Sequence, residues 1–265
     1  MQIAKWIKTG TMIFVMCMAL ALPAEAQDQV PAEVRNDLID LLQQISEQTP
    51  VRADLERLGF SGQKLDLAVR QSRVFMRDRH IAGFVADQLI AANAGQVPAQ
   101  IGNRGFIGPL IMRGMGHLST SDMRRFYAIE QLIMRSFPER DCGLAVKERL
   151  RHQRWFELSS RIEAQLSLAT LKEYYRIQLK AAKLGATRDP VRLDDAQMAA
   201  TAARINSANE ANLAGRADGR QIIAAMNNLN RASNRRACQA SILFMETVLG
   251  LEGRDLRDAL LMLSQ

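Results

Sequence analysis

Leu118-Ser119-Thr120-Ser121-Asp122-Met123-Arg124-Arg125-Phe126-Tyr127-Ala128-Ile129 is the stretch on which the fold turns. Ser119 is a helix-capping residue type, and Leu118 before it with Met123 after it has the spacing of a hydrophobic staple. Asp122, three residues past Ser119, resembles the acidic half of a capping box. Apolar residues then recur at helical and not at strand spacing, so the segment predicts an amphipathic helix with a defined start.

The same grammar recurs along the chain. Phe60-Ser61 with Leu65, Leu166-Ser167 with Leu171, Leu193-Asp194 with Met198, and Leu251-Glu252 with Leu256 each place an apolar residue before the cap and another beyond it. Asp194 with Gln197 is a capping-box pair. Residues 166–177 also align with 118–129 at an offset of 48, a period that a duplicated helical hairpin would give, although shared helix-start chemistry explains much of the match. Further helices are expected at about 61 to 77 and 79 to 93. Pro31 opens a helix carrying Val34, Leu38, Leu41, Leu42 and Ile45 on one side, and Pro50 opens a short one that Gly59 closes. No convincing alternating strand pattern occurs. The expected fold is all-α, a multi-helix bundle or an array of helical hairpins.

Composition agrees. With 48% apolar and 24% charged residues and only 7 Pro in 265, the chain has the make-up of a globular protein and not of a disordered tail. Its 16 Gly have no three-residue period, which excludes a collagen-like structure. Texture changes once: Gly95 to Gly116 contains six Gly and two Pro in 22 residues, including Gly105-Phe106-Ile107-Gly108-Pro109. This stretch reads as a loop or broken helix. The domain expectation is therefore a helical unit at 27–94, a Gly-rich connection at 95–116 and a C-terminal helical domain at 117–265.

Residues 1–26 read as a cleavable signal peptide. Lys5 and Lys8 are basic, Met12 to Leu22 is an apolar run of 11 residues, Pro23 ends it, and Ala24-Glu25-Ala26 is an A-x-A site. Such a run is too short to span a bilayer, and no transmembrane segment is expected in the mature chain. Cleavage after Ala26 and a periplasmic or secreted location follow as expectations. Cys17 is lost with the signal, which leaves Cys142 and Cys238. An even pair without C-x-x-C spacing in an oxidising compartment predicts a structural disulfide.

Candidate chemistry is sparse. His80, His117 and His152 are far apart and have no second ligand at helical spacing, so no metal site is expected, and no cofactor. Ser61-Gly62-Gln63-Lys64 matches the S-x-x-K nucleophile pattern of penicillin-recognising enzymes, but Lys-Thr-Gly occurs only at 8–10, inside the signal, and Ser61 is better read as a cap. Without residues 1–26 the chain carries 33 basic against 27 acidic residues, 28 of the basic ones Arg. Arg forms bidentate contacts with phosphate and carboxylate, so an anionic envelope lipid or glycan is the expected kind of partner. The candidate contacts are Arg70, Arg73 and Arg77 on one helix and the Arg149, Arg151, Arg154 cluster. Asp66, four residues before Arg70, is expected to pair with it. Nucleic acid is not expected, because no basic segment is interleaved with aromatics. The oligomeric state stays open.

Glu130 stands apart. On a helical wheel it falls inside the apolar arc of Met123, Phe126, Tyr127, Ile133 and Met134, and burial is predicted. Either it pins helices through an Arg or through Gln178, its counterpart 48 residues on, or it serves as a buried general acid. Two function classes result. The first is an exported helical envelope protein that binds an anionic component or plays a structural role. The alternative is a helical periplasmic enzyme acting on cell-wall or small carboxylate substrates.

Overall fold

The computed structural model describes residues 31–48, 50–93 and 103–265. The expected signal peptide and its cleavage site lie outside the described residues. Among those described there are thirteen α-helices and no strand, so the all-α expectation holds. No helix among them is long and apolar enough to cross a membrane.

The chain forms two compact units, and their borders differ from the sequential division. The first unit joins described residues up to His117 with Ser167–Pro190. It contains α1 (Ala32–Gln48), α2 (Arg52–Arg57), α3 (Gly62–Arg77), α4 (Arg79–Asn93), α5 (Asn103–Met115) and α9 (Leu168–Thr187). The second unit joins Leu118–Leu166 with Val191–Gln265. It contains α6 (Thr120–Arg135), α7 (Glu139–Val146), α8 (His152–Glu163), α10 (Asp195–Leu213), α11 (Gly219–Asn227), α12 (Asn234–Gly250) and α13 (Gly253–Leu263).

In the first unit α9 is the common neighbour, with α3, α4 and above all α5 packed on it. Leu171, Tyr174, Ile177, Ala181 and Ala182 supply its buried side. Part of the stretch expected to be a connection, residues 103–115, is thus a helix, with Pro109 inside it. The reason is packing. Gly114 and Gly185 let the backbones of α5 and α9 meet, since a Cβ on Gly185 would lie 2.1 Å from the Leu110 carbonyl oxygen. Arg113 adds a hydrogen bond from Nε to the Gly185 oxygen (2.9 Å), and the His117 ring Nε2 lies 2.8 Å from the Asp189 oxygen.

Helix α1 departs from its expected orientation. It packs on α3 and α4 through Ile39, Leu42 and Ser46, and Arg35 forms a two-pronged contact with Asp87 on α4 at 2.6 and 2.9 Å. Of the five apolar residues assigned to one inner side, Val34, Leu41 and Ile45 are instead exposed. Ile39 and Leu42, about 60° apart on the wheel, define a second apolar face, and that one reaches the core.

In the second unit α12 packs on α6, α7, α10, α11 and α13, and α13 also meets α6 and α10. Met123, Ile205, Ile222, Val248 and Leu260 are among its fully buried side chains. All five staple-marked starts are helix starts. Ser119, Ser167 and Asp194 accept hydrogen bonds from the backbone N–H groups of Asp122, Thr170 and Gln197, and Asp194 with Gln197 completes a reciprocal capping box. Each such cap is worth about 1 kcal/mol. Ser61 and Glu252 hold the N-cap position of α3 and α13 without a side-chain bond to the helix. The two segments related by the offset of 48 open α6 and α9, but α6 has α8, α12 and α13 as neighbours whereas α9 has α3, α4 and α5.

Candidate anion-binding surface

The two Arg groups lie in different units and are differently occupied. On α3, Arg77 directs Nε and Nη2 to the Glu47 carboxylate at 2.5 and 2.9 Å, and its own backbone oxygen accepts from Gln43. That hydrogen bond holds the Glu47 pKa below its ordinary value, and the charge of Arg73 lowers it further. Arg77 therefore holds one carboxylate of α1 and Arg73 acts on it through its charge alone, its Nε being buried without a hydrogen-bond partner among the described residues. Asp66 does not pair with Arg70 as expected; it accepts from Arg52 Nη2 at 2.6 Å, a partner at the start of α2 that spacing within α3 does not reveal. Arg70 is exposed and has no ion pair among the described residues. The α3 stripe mainly fastens helices.

The second group sits at the end of α7. Lys147 closes that helix, and Glu148 follows in the left-handed region at φ 61°. The N–H of Arg149 returns to the Leu144 oxygen at 2.8 Å, a helix-ending turn in which glycine is the usual occupant. The reversal brings Arg149 and Arg151 to the surface ahead of α8. Arg154, in the first turn of α8, is drawn back to the largely buried Asp141 at 2.9 Å.

Three constraints hold this turn against the start of α12. Cys142 and Cys238 form a disulfide, with Cα atoms 5.4 Å apart. One residue on, Gly143 faces Asn234 so closely that a Cβ there would be 2.1 Å from the Asn234 oxygen. Lys147 Nζ crosses the same junction and donates to the Ala232 carbonyl oxygen and to Asn234 Oδ1, the latter at 2.9 Å. Burial lowers the Lys147 pKa, and the neighbouring positive charge of Arg149 lowers it further. Glu148, the acid between them, has its pKa raised by burial. The adjoining Arg231 is exposed, and neither it, Arg149 nor Arg151 has an ion pair among the described residues. Lys147 underlies this turn although sequence reasoning did not select it. Its signal was latent in the disulfide, which brings the end of α7 to the start of α12.

Glu130 is 7% exposed, as its wheel position required, and Gln178 belongs to the other unit. Burial pushes the Tyr127 phenol up, and the Glu130 charge adds to the effect, so the two groups feel each other on one face of α6. The Tyr127 hydroxyl is buried without a hydrogen-bond partner among the described residues. No group of three or more His, Cys, Asp or Glu suited to a metal occurs among the described residues. Comparisons with protein-family models, curated proteins and solved structures found no match.

Proposed function

We propose that the protein is an exported helical protein of the cell envelope that binds an anionic component through the turn after α7. Arg149 and Arg151 make the contact, and Lys147 stiffens their base. The observation that carries this reading is the geometry of the turn: Glu148 at φ 61° and the return of the Arg149 N–H to the Leu144 oxygen bring Arg149 and Arg151 out side by side on a corner held by the Cys142–Cys238 link, and neither has an ion pair among the described residues. Export is supported by the N-terminal succession of Lys5, Lys8, Met12 to Leu22 and Ala24-Glu25-Ala26, and by a disulfide that suits an oxidising compartment.

Co-sedimentation with acidic and neutral phospholipid vesicles tests the binding. The protein is expected to follow acidic vesicles, to be released as salt rises, and to lose most of that binding when Arg149 and Arg151 are both changed to Ala. Equal recovery with both vesicle types would overturn the proposal.

Burial of Glu130 beside Tyr127 supports a second reading, in which Glu130 is the general acid of an envelope enzyme. Glu130→Gln separates it from a structural role. A turnover found in a metabolite screen and lost in a stably folded variant supports the enzyme, and a lower melting temperature alone supports the helix pin.

A further inference from the structure

Helix α1 exposes a second apolar face besides the one that packs on α3 and α4. Val34, Leu41 and Ile45 are 52%, 48% and 43% exposed, and they are three of the five large hydrophobic side chains exposed among the described residues. With the half-buried Leu38 they run in steps of four, three and four residues, the repeat of a two-helix seam. A helix that only needed to cover the core would leave charged groups there.

The charges beside the seam narrow the occupant. Glu33 and Asp37 flank its N-terminal half, whereas Gln44 and Gln48 flank its C-terminal half. The acidic flank opposes docking on an anionic lipid surface. It also disfavours a parallel copy, in which Asp37 would come beside Leu42 of the second chain, a side chain turned to that chain's own core. In an antiparallel pair, Val34 meets Ile45 of the second copy, Leu38 meets its Leu41, and Asp37 lies beside its Gln44, whose amide can donate to the carboxylate. We infer that α1 is a self-association helix, pairing antiparallel with α1 of a second copy of this chain. The pairing is isologous and closes on itself, so it gives a dimer and not a fibre. Four layers make less than the roughly 1,600 Å² of a standard interface, so the dimer is weak and depends on concentration.

Sedimentation equilibrium of the recovered protein over a wide concentration range tests this. The expected result is a monomer–dimer equilibrium, weakened by roughly tenfold or more in Leu41→Glu, with the helical circular dichroism unchanged. Val34→Glu, in the first turn, replaces Leu41→Glu if the latter melts early. The double variant Asp37→Lys with Gln44→Glu distinguishes orientation. Only in the antiparallel pair does the ammonium introduced at position 37 face the carboxylate introduced at position 44 of the second copy, and there the exchange is expected to tighten the dimer. A monomer at every concentration overturns the inference. So does association that ignores both seam variants, or weaker association in the charge-exchanged variant. An effect of Leu41→Glu on vesicle binding without an effect on self-association assigns the face to lipid and overturns it as well.

Discussion

A Cβ placed on Gly114 would lie 1.8 Å from the carbonyl oxygen of Ala181, well inside any tolerated contact. Helix α5 can lie on α9 only because position 114 has no side chain. Gly114→Ala is therefore expected to force the backbones apart and to cost about 1–3 kcal/mol or more. Thermal unfolding of the variant checks this. Gly108→Ala is the control: a Cβ there meets nothing within 4 Å, and it should be neutral or slightly stabilising.

The Cys142–Cys238 link closes a sequence separation of 96 residues within the second unit. In the chain-entropy description a loop of that length restricts the unfolded chain by roughly 4–5 kcal/mol, an upper figure. Reduction, or the double change Cys142→Ala with Cys238→Ala, is expected to lower the melting temperature clearly. Peptide mapping without reductant should recover the two cysteines as one linked species, and equal melting with and without reductant would count against the stabilising role.

Asp78 provides a pH-dependent contribution. Burial alone would raise its pKa. Lys183 Nζ at 3.0 Å and the N–H groups of Ile81 and His80 more than offset that, and the folded-state pKa is lowered. Since the unfolded value is near 3.9, the contribution is complete above about pH 4 and is lost as pH falls through the folded-state pKa. Asp78→Asn should cost about 1 kcal/mol at neutral pH, Lys183 being half exposed, and the gap from the parent should close at low pH. Denaturant melts at pH 7 and pH 3 measure it.

Glu148 should behave in the opposite sense. Its left-handed backbone at φ 61° costs a non-glycine residue about 1–2 kcal/mol, and burial raises the pKa of its carboxyl. Because the Glu148 side chain is largely exposed, the desolvation penalty on its ionised form is small; it is absent below the unfolded pKa of about 4.3 and complete above the folded one. Glu148→Gly is thus expected to stabilise by roughly 0.5–1 kcal/mol after glycine's entropy is deducted, a gain that comes from the backbone and is only slightly larger at pH 7 than at pH 4. It also removes a negative charge between Lys147 and Arg149, so vesicle binding should rise. A variant that gains stability but binds acidic vesicles less would place the anion contact elsewhere.

Helix starts were the most legible part of the chain. Cap-and-staple chemistry is contained in six consecutive residues, and Ser119, Ser167 and Asp194 behave as their local sequence requires. The burial of Glu130 was legible for a similar reason, because one regular helix sets the arc. What was not legible depends on the partner. Nothing near Pro109 favours a helix, and α5 exists because Gly185, far along the chain, admits it. Helix α1 carries two apolar faces, and local periodicity has no means of choosing which of them meets α3 and α4. Asp66 was assigned to Arg70 by spacing alone, while Arg52 reached it from another helix.

The position of α9 in the first unit bears on the order in which the protein can be made. Arg113 and the Gly185 oxygen it holds are 72 residues apart, and the opening helices of the second unit, α6, α7 and α8, lie between them. A chain delivered from its N-terminus presents α5, with its prolyl ring and glycines, long before α9 arrives to cover it. Until then the segment has little reason to be helical, because a short glycine-containing helix without its packing face is marginal. Completion of the first unit is therefore a late step in synthesis. A chain halted between residues 117 and 167 would carry an unfinished first unit with an uncovered apolar side, the kind of surface that folding helpers bind.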